Sequence, residues 1–194
     1  MKKTMICAAF AAAAFAPSAA LAQAIPPAVI AVVDLEKVTS ECNACKTAAA
    51  ALRSQATAQE NREKALGTPL ETEQKAIQTA IDALAGKPAD AALENRVKAF
   101  QTRAQQAQQE AMRGRQQLQA NQAHIQKQIS DRLGPIYTQV MQRRGANMLV
   151  EIGTTLASGQ ALDVTNDVLA ALNAALPSIQ TTAPAQRPAQ PQGR

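Results

Sequence analysis

The chain has 194 residues and a formal net charge of +5; 46% of it is hydrophobic, yet only 2% is aromatic and 44 residues are alanine. Alanine buries little area, and burial contributes only roughly 25 cal/mol per Å² of apolar surface. The composition therefore excludes a large aromatic core, an all-β sandwich of β-branched and aromatic strands, and a multi-domain enzyme. It suits long Ala- and Gln-rich helices packed as coiled coils.

Residues 1–22 read as a signal peptide. Met1-Lys2-Lys3 is a basic start, Met5 to Ala16 is an apolar run too short to span a bilayer, and Ala20-Leu21-Ala22 has the small-x-small form of a cleavage site. The alternatives are an uncleaved membrane anchor or a buried helix. No Cys follows the site, which argues against a lipoprotein, and no other segment reaches 18 apolar residues. The expected mature protein is soluble, exported and periplasmic.

Val29-Ile30-Ala31-Val32-Val33-Asp34 is β-branched, short and continuous, the pattern of a buried strand. Thr39-Ser40 offers a helix N-cap, and from about Glu41 to Ala85 the pattern is helical. Gly67-Thr68-Pro69 interrupts it, so a kink or short break is predicted there. Gly86-Lys87-Pro88-Ala89-Asp90 is a turn, with Gly suited to the incoming C-cap and Asp90 to the outgoing N-cap. In the second helix Leu93, Val97, Phe100, Ala104, Ala107 and Ala111 are spaced 4, 3, 4, 3, 4, and the seam is continued through Arg115, Leu118, Gln122, Ile125 and Ile129. Arg115 and Gln122 would then either specify register or snorkel outward. Gly134-Pro135 disturbs this helix and Gly145 ends it. Asn147 to Ile152 reads as a second strand, Gln160-Ala161-Leu162 as a short third, and Asp163 to about Pro177 as a last helix. Residues 181–194 are rich in Pro, Gln and Ala and read as a disordered tail.

Two similar helical stretches joined by five residues make an antiparallel hairpin. The predicted organisation is a mainly α chain with a small β part (α+β): residues 23–45 and 146–180 form a β-body with a terminal helix, and residues 46–145 form a projecting arm with its tip near 86–90. Residues 87–145 hold ten basic and four acidic groups. A basic surface steers anionic partners. An exported chain rarely meets nucleic acid, which leaves anionic lipid, lipopolysaccharide or acidic polypeptides, or a solvated face with no partner.

Cys42 and Cys45 form a C-x-x-C in an oxidising compartment. Three readings stay open: a local disulfide or inert thiols, disulfide exchange with other proteins, or half of a zinc site. Cys7 leaves with the signal peptide. His124 is the single histidine, placed on the arm surface without an indicated catalytic partner. No Ser/His/Asp set, phosphate loop, HExxH or paired-carboxylate pattern occurs. Neither enzymatic activity, nor a cofactor, nor a metal site is expected.

An apolar strand ending in Val33-Asp34, a long hairpin with a Gly/Lys/Asp tip, a stretch from Gly145 to Leu149, a short strand, and Asp163-Val164-Thr165 followed by Val168-Leu169 come in this order. Over about residues 28–176 the chain resembles the Skp/OmpH family of periplasmic chaperones. It departs in a weakly charged first arm, the Gly-Thr-Pro at 67–69 and the Pro/Gln tail. The resemblance implies a homotrimer whose shared β-body is completed by three chains, with three arms enclosing an unfolded outer-membrane protein as an ATP-independent holdase. On that reading Lys87, Arg96, Lys98, Arg103, Arg113 and Arg115 contact clients, and Val29, Ile30, Val32, Leu149, Val150 and Ile152 build the trimer body. The competing readings are an envelope adaptor coiled coil with one folded partner, and a thiol-redox or metal protein centred on Cys42 and Cys45.

Overall fold

The structure, a computed structural model, describes residues 26–184. The expected signal peptide at 1–22, with Cys7, lies outside the described residues. In chain order the elements are β1 (Ile30–Val33), α1 (Leu35–Glu41), α2 (Asn43–Ala83), α3 (Ala91–Arg144), β2 (Met148–Glu151) and α4 (Thr165–Ala175), with short 3₁₀ turns at Ile152–Thr154 and Gln160–Leu162. This is the α+β architecture expected: a long helical hairpin on a small β-body.

β1 and β2 pair in parallel, with Ile30 opposite Met148 and Val33 opposite Glu151. Parallel neighbours need a long crossover, and here the crossover is the entire hairpin. Successive strand residues face opposite sides. Ala31, Val33 and Leu149 face the helices, where a core forms with Val38 and Cys42 of the α1–α2 junction, Leu133, Ile136 and Val140 of α3, and Val164, Val168 and Leu172 around α4. A two-stranded sheet is marginal by itself; helices from both ends of the hairpin and from α4 give this one its cover.

Several expected boundaries move, each for a local reason. Thr39-Ser40 is not an N-cap. Asp34 caps α1 by accepting from the Lys37 N–H at 2.8 Å, while the Thr39 and Ser40 hydroxyls bond back to carbonyls inside the helix. Cys42, with ψ 128°, then breaks the path and caps α2. Gly67-Thr68-Pro69 does not interrupt α2, nor does Gly134-Pro135 interrupt α3. Both prolines are exposed, so the carbonyl that each deprives of a partner faces water. The tip turn places Ala85 and Gly86 at positive φ, a conformation that glycine accepts freely. Asp90 caps α3 through the Leu93 N–H, and Gly145 ends it with φ 68°, both as expected. The third strand is absent: Gln160–Leu162 is a 3₁₀ turn, after which Asp163 makes one isolated parallel bridge to Val32.

The tail is also not free at its start. Residues 181–184, read from sequence as the beginning of a disordered segment, lie against the hairpin with hydrogen bonds to Gln55 and Asn121. The amide side chains of the arm supply partners that tail composition does not reveal.

Candidate functional site

The Val33-Asp34 and Asp163-Val164-Thr165 signatures meet in space. The Asp34 N–H donates to the buried Thr165 hydroxyl at 2.9 Å, and the Thr165 N–H donates to Asp163 Oδ1 at 2.8 Å. The Thr165 hydroxyl first, and its N–H second, hold the Asp163 carboxyl below its ordinary range. Leu35 N–H reaches Glu151 Oε1 at 3.2 Å, and Asn147 brackets the start of β1 through Val29 N–H and the Pro27 carbonyl. The motif residues therefore stitch the base from which the arm leaves, and none of these bonds involves the arm surface.

The α2–α3 seam holds little large apolar area. Along α3 Gly114, Leu118, Asn121 and Ile125 are half-buried or buried, whereas Arg115 and Gln122 are exposed. The expected seam through Arg115 and Gln122 is thus one residue out of phase: a spacing of 3 after Ala111 keeps the heptad, and it reaches Gly114. Gln59 of α2 lies across Gly114, close enough to occupy the place of a Cβ there, and its Nε2 donates to Glu63 at 3.1 Å and to the Ala111 carbonyl at 3.4 Å. Asn121, 5% exposed, bonds Gln55 and Gln117, each at 2.8 Å. The middle of the arm is therefore held by amides over a small-residue contact.

Half of the basic residues expected to meet a client are spoken for within the arm. Arg96 makes a two-pronged contact with Glu73 at 2.8 and 3.2 Å, and Arg103 approaches the same carboxylate at 3.6 Å. Arg115 grips Glu63 in the same two-pronged way. Arg115, with help from Gln59, brings the Glu63 carboxyl down to about 2. Arg96 likewise lowers that of Glu73, and each arginine is raised in turn by its carboxylate. Among the described residues Lys87, Lys98 and Arg113 have no carboxylate within 4.0 Å and are exposed. Sequence reading missed an apolar hollow of about 320 Å³ at the tip, lined by Ile81, Ala89, Leu93 and Val97 and edged by Lys98. The signal was present: Ile81 and Leu93 face one another only if the turn closes the hairpin.

The proposed body residues divide. Val29 and Ile30 are exposed, and Val150 and Ile152 are half-buried. Val32, however, is 2% exposed already in the single chain, and Leu149 packs on the chain's own core. Met148 and Leu162, exposed beside β1, were not foreseen. Cys42 and Cys45 form a buried disulfide across the α1–α2 junction, with Cα atoms 5.1 Å apart. Among the described residues no three His, Cys, Asp or Glu side chains gather as a metal site. His124 is half-buried rather than on the arm surface, and its Nε2 is enclosed with no hydrogen-bond partner among the described residues. No described helix is long and apolar enough to cross a membrane.

A hairpin arm on a small parallel sheet, with a seam of small and amide residues, is the architecture of a known group. The family model for outer membrane protein (OmpH-like) matches residues 29–172, and the chain belongs to that family. The crystal structure of an OmpH-like protein from Caulobacter crescentus CB15, described as a candidate outer membrane chaperone, is 20% identical and superposes with a TM-score of 0.67. The match covers 84% of this chain and 96% of that one, and it shows the shared fold. No curated protein matches this chain.

Proposed function

We propose that the protein is a periplasmic holdase that keeps unfolded outer-membrane proteins from aggregating, without ATP, as a homotrimer whose arms surround the client. The observation that carries this reading is the arm: helices of 41 and 54 residues, reaching about 60 and 80 Å at 1.5 Å per residue, in a chain of the OmpH-like family. Its surface offers shallow apolar hollows and scattered cations, which suits weak contacts repeated over a long client and summed by multivalency. The apolar tip and the unpaired Lys87, Lys98 and Arg113 are the contacts we assign, with Arg96, Arg103 and Arg115 stiffening the arm instead. Anionic lipid or lipopolysaccharide would meet the same cations.

The adaptor reading predicts one folded partner and no effect on unfolded chains. The thiol reading is disfavoured by the burial of both sulfurs in a disulfide. The deciding experiment dilutes a urea-unfolded outer-membrane β-barrel into buffer with the mature chain (residues 23–194) and no nucleotide, and follows light scattering. Suppression at about three chains per client, as avidity from three arms requires, is expected. Unchanged scattering at several-fold excess of folded protein would overturn the holdase. Charge reversal of Lys87, Lys98 and Arg113 together should weaken suppression most at low salt.

A further inference from the structure

Beyond α4 the chain turns back along the arm. Leu176 is buried and Ile179 packs on the core; the next residues then run toward the tip over the groove between α2 and α3. Gln128 receives the Gln180 N–H on its Oε1 at 3.0 Å and donates its Nε2 to the Gln180 carbonyl at 2.8 Å. Gln55, from the opposite helix, donates to the Thr181 carbonyl at 3.2 Å. The Ala183 N–H donates to Oδ1 of the buried Asn121 at 2.8 Å. From Gln128 to Asn121 is seven residues of helix, about 10 Å; from Gln180 to Ala183 is three residues, which span about 10 Å only when extended. The strap is an extended segment lying antiparallel to α3.

All four bonds go to main-chain groups of the strap. The Gln128 amide makes with Gln180 the paired donor–acceptor contact that one strand makes with another, and any residue but proline presents those two groups. These hydrogen bonds thus read backbone and not side chains. It also continues tipward past Ala183, where Gln59, Gln117 and Gly114 help to line a hollow of about 410 Å³.

We infer that the amide-lined groove of Gln55, Asn121 and Gln128 is a sequence-independent binding site for extended polypeptide, and that residues 180–183 of the chain occupy it in cis. The inference deepens the holdase reading and rests on it for the identity of the natural ligand: an unfolded client brings unpaired backbone groups of the same kind. Because the strap is tethered, it competes at high effective concentration and lowers the apparent affinity for any chain in trans. The strap is then a displaceable occupant of the arm.

The test uses the full mature chain and a variant carrying Gln180→Pro and Ala183→Pro. Each proline deletes a strap donor and leaves the groove and all six elements untouched; an unchanged circular dichroism spectrum checks this. The probe is a fluorescent synthetic peptide of residues 176–184, with a second peptide of the same composition in shuffled order, and the readout is anisotropy. Loss of two hydrogen bonds worth about 0.5–1.5 kcal/mol each should make the variant bind both peptides at least about fivefold more tightly than the parent. Asn121→Ala in the variant should reverse the gain. Equal affinity of parent and variant, no binding to either, or binding of the native order alone would overturn the inference. The same pair is then given the unfolded β-barrel. A β-barrel that neither protein holds, with the peptide contrast intact, rejects the holdase and leaves the groove standing. A β-barrel held by both with no peptide contrast rejects the groove and leaves the holdase.

Discussion

Thr165 joins the two ends of the described fold through one hydroxyl. It is buried at the start of α4 and accepts the Asp34 N–H, at the point where β1 hands over to α1. That donor precedes the helix and lies in a part-buried place, and Thr165 Oγ1 is its hydrogen-bond partner among the described residues. Thr165→Val keeps the shape and removes the acceptor. An orphaned backbone donor costs about 1–3 kcal/mol, and urea unfolding of Thr165→Val should show a loss of that size with an unchanged m-value. A loss no greater than that of an exposed control such as Thr182→Val would mean that water replaces the hydroxyl. The residue-scale logic also explains why the sequence signature sits here: Val33-Asp34 and Asp163-Val164-Thr165 are far apart in the chain and bond each other directly.

At the scale of elements, the arm is zipped by ion pairs laid over a thin seam. Glu63 ordinarily titrates at 4.5 and is held at about 2 chiefly by Arg115. A carboxylate depressed by folding contributes stability that is complete above its unfolded value and lost as pH falls through its folded one. The Glu63–Arg115 contribution should therefore fade between about pH 4.5 and pH 2. Arg115 is exposed and Glu63 only half-buried, so its size is modest and salt reduces it. Arg115→Gln should return Glu63 toward its ordinary value in a carboxyl NMR titration, with part of the depression kept by Gln59; a titration still near 2 would assign the depression elsewhere. These pairs mark the limit of what could be read from the chain alone. The hairpin, its Asp90 and Gly145 caps and the strand at Val32 were legible because local patterns decide them. The phase slip at Gly114 was not, because apolar residues are too sparse between Ala111 and Leu118 to choose between Gly114 and Arg115. Neither were the helical Pro69 and Pro135: a proline breaks a helix or rides its wet face according to which face is wet, and that is a property of packing. The strap was hidden for the opposite reason, since its anchors are glutamines and asparagines whose partners are backbone groups of any sequence.

At the scale of the whole molecule, the β-body carries an uncovered apolar face. Val29, Ile30, Met148 and Leu162 are exposed around the sheet; Ile30 and Met148, 41% and 47% exposed, stand opposite each other in register on the face turned from the helices. Among the described residues β2 pairs on one side only, with β1. An apolar face beside an open strand edge is a surface that proteins cover, and a second and third copy of the same body would cover it while spacing the arms around a common axis. If association supplies this cover, stability depends on protein concentration, because dilution favours the incomplete monomer. The thermal midpoint should then rise with concentration, and sedimentation should give three chains per particle. Ile30→Asp with Met148→Asp places two charges on that face and leaves the arm intact. It should give a monomer with a lower, concentration-independent midpoint and with client suppression lost, since one arm alone has no multivalency to draw on. A double variant that stays trimeric would move the interface off this face. A parent chain that is monomeric at every concentration would remove the trimer, and the holdase would then need one arm to do what three were proposed to share.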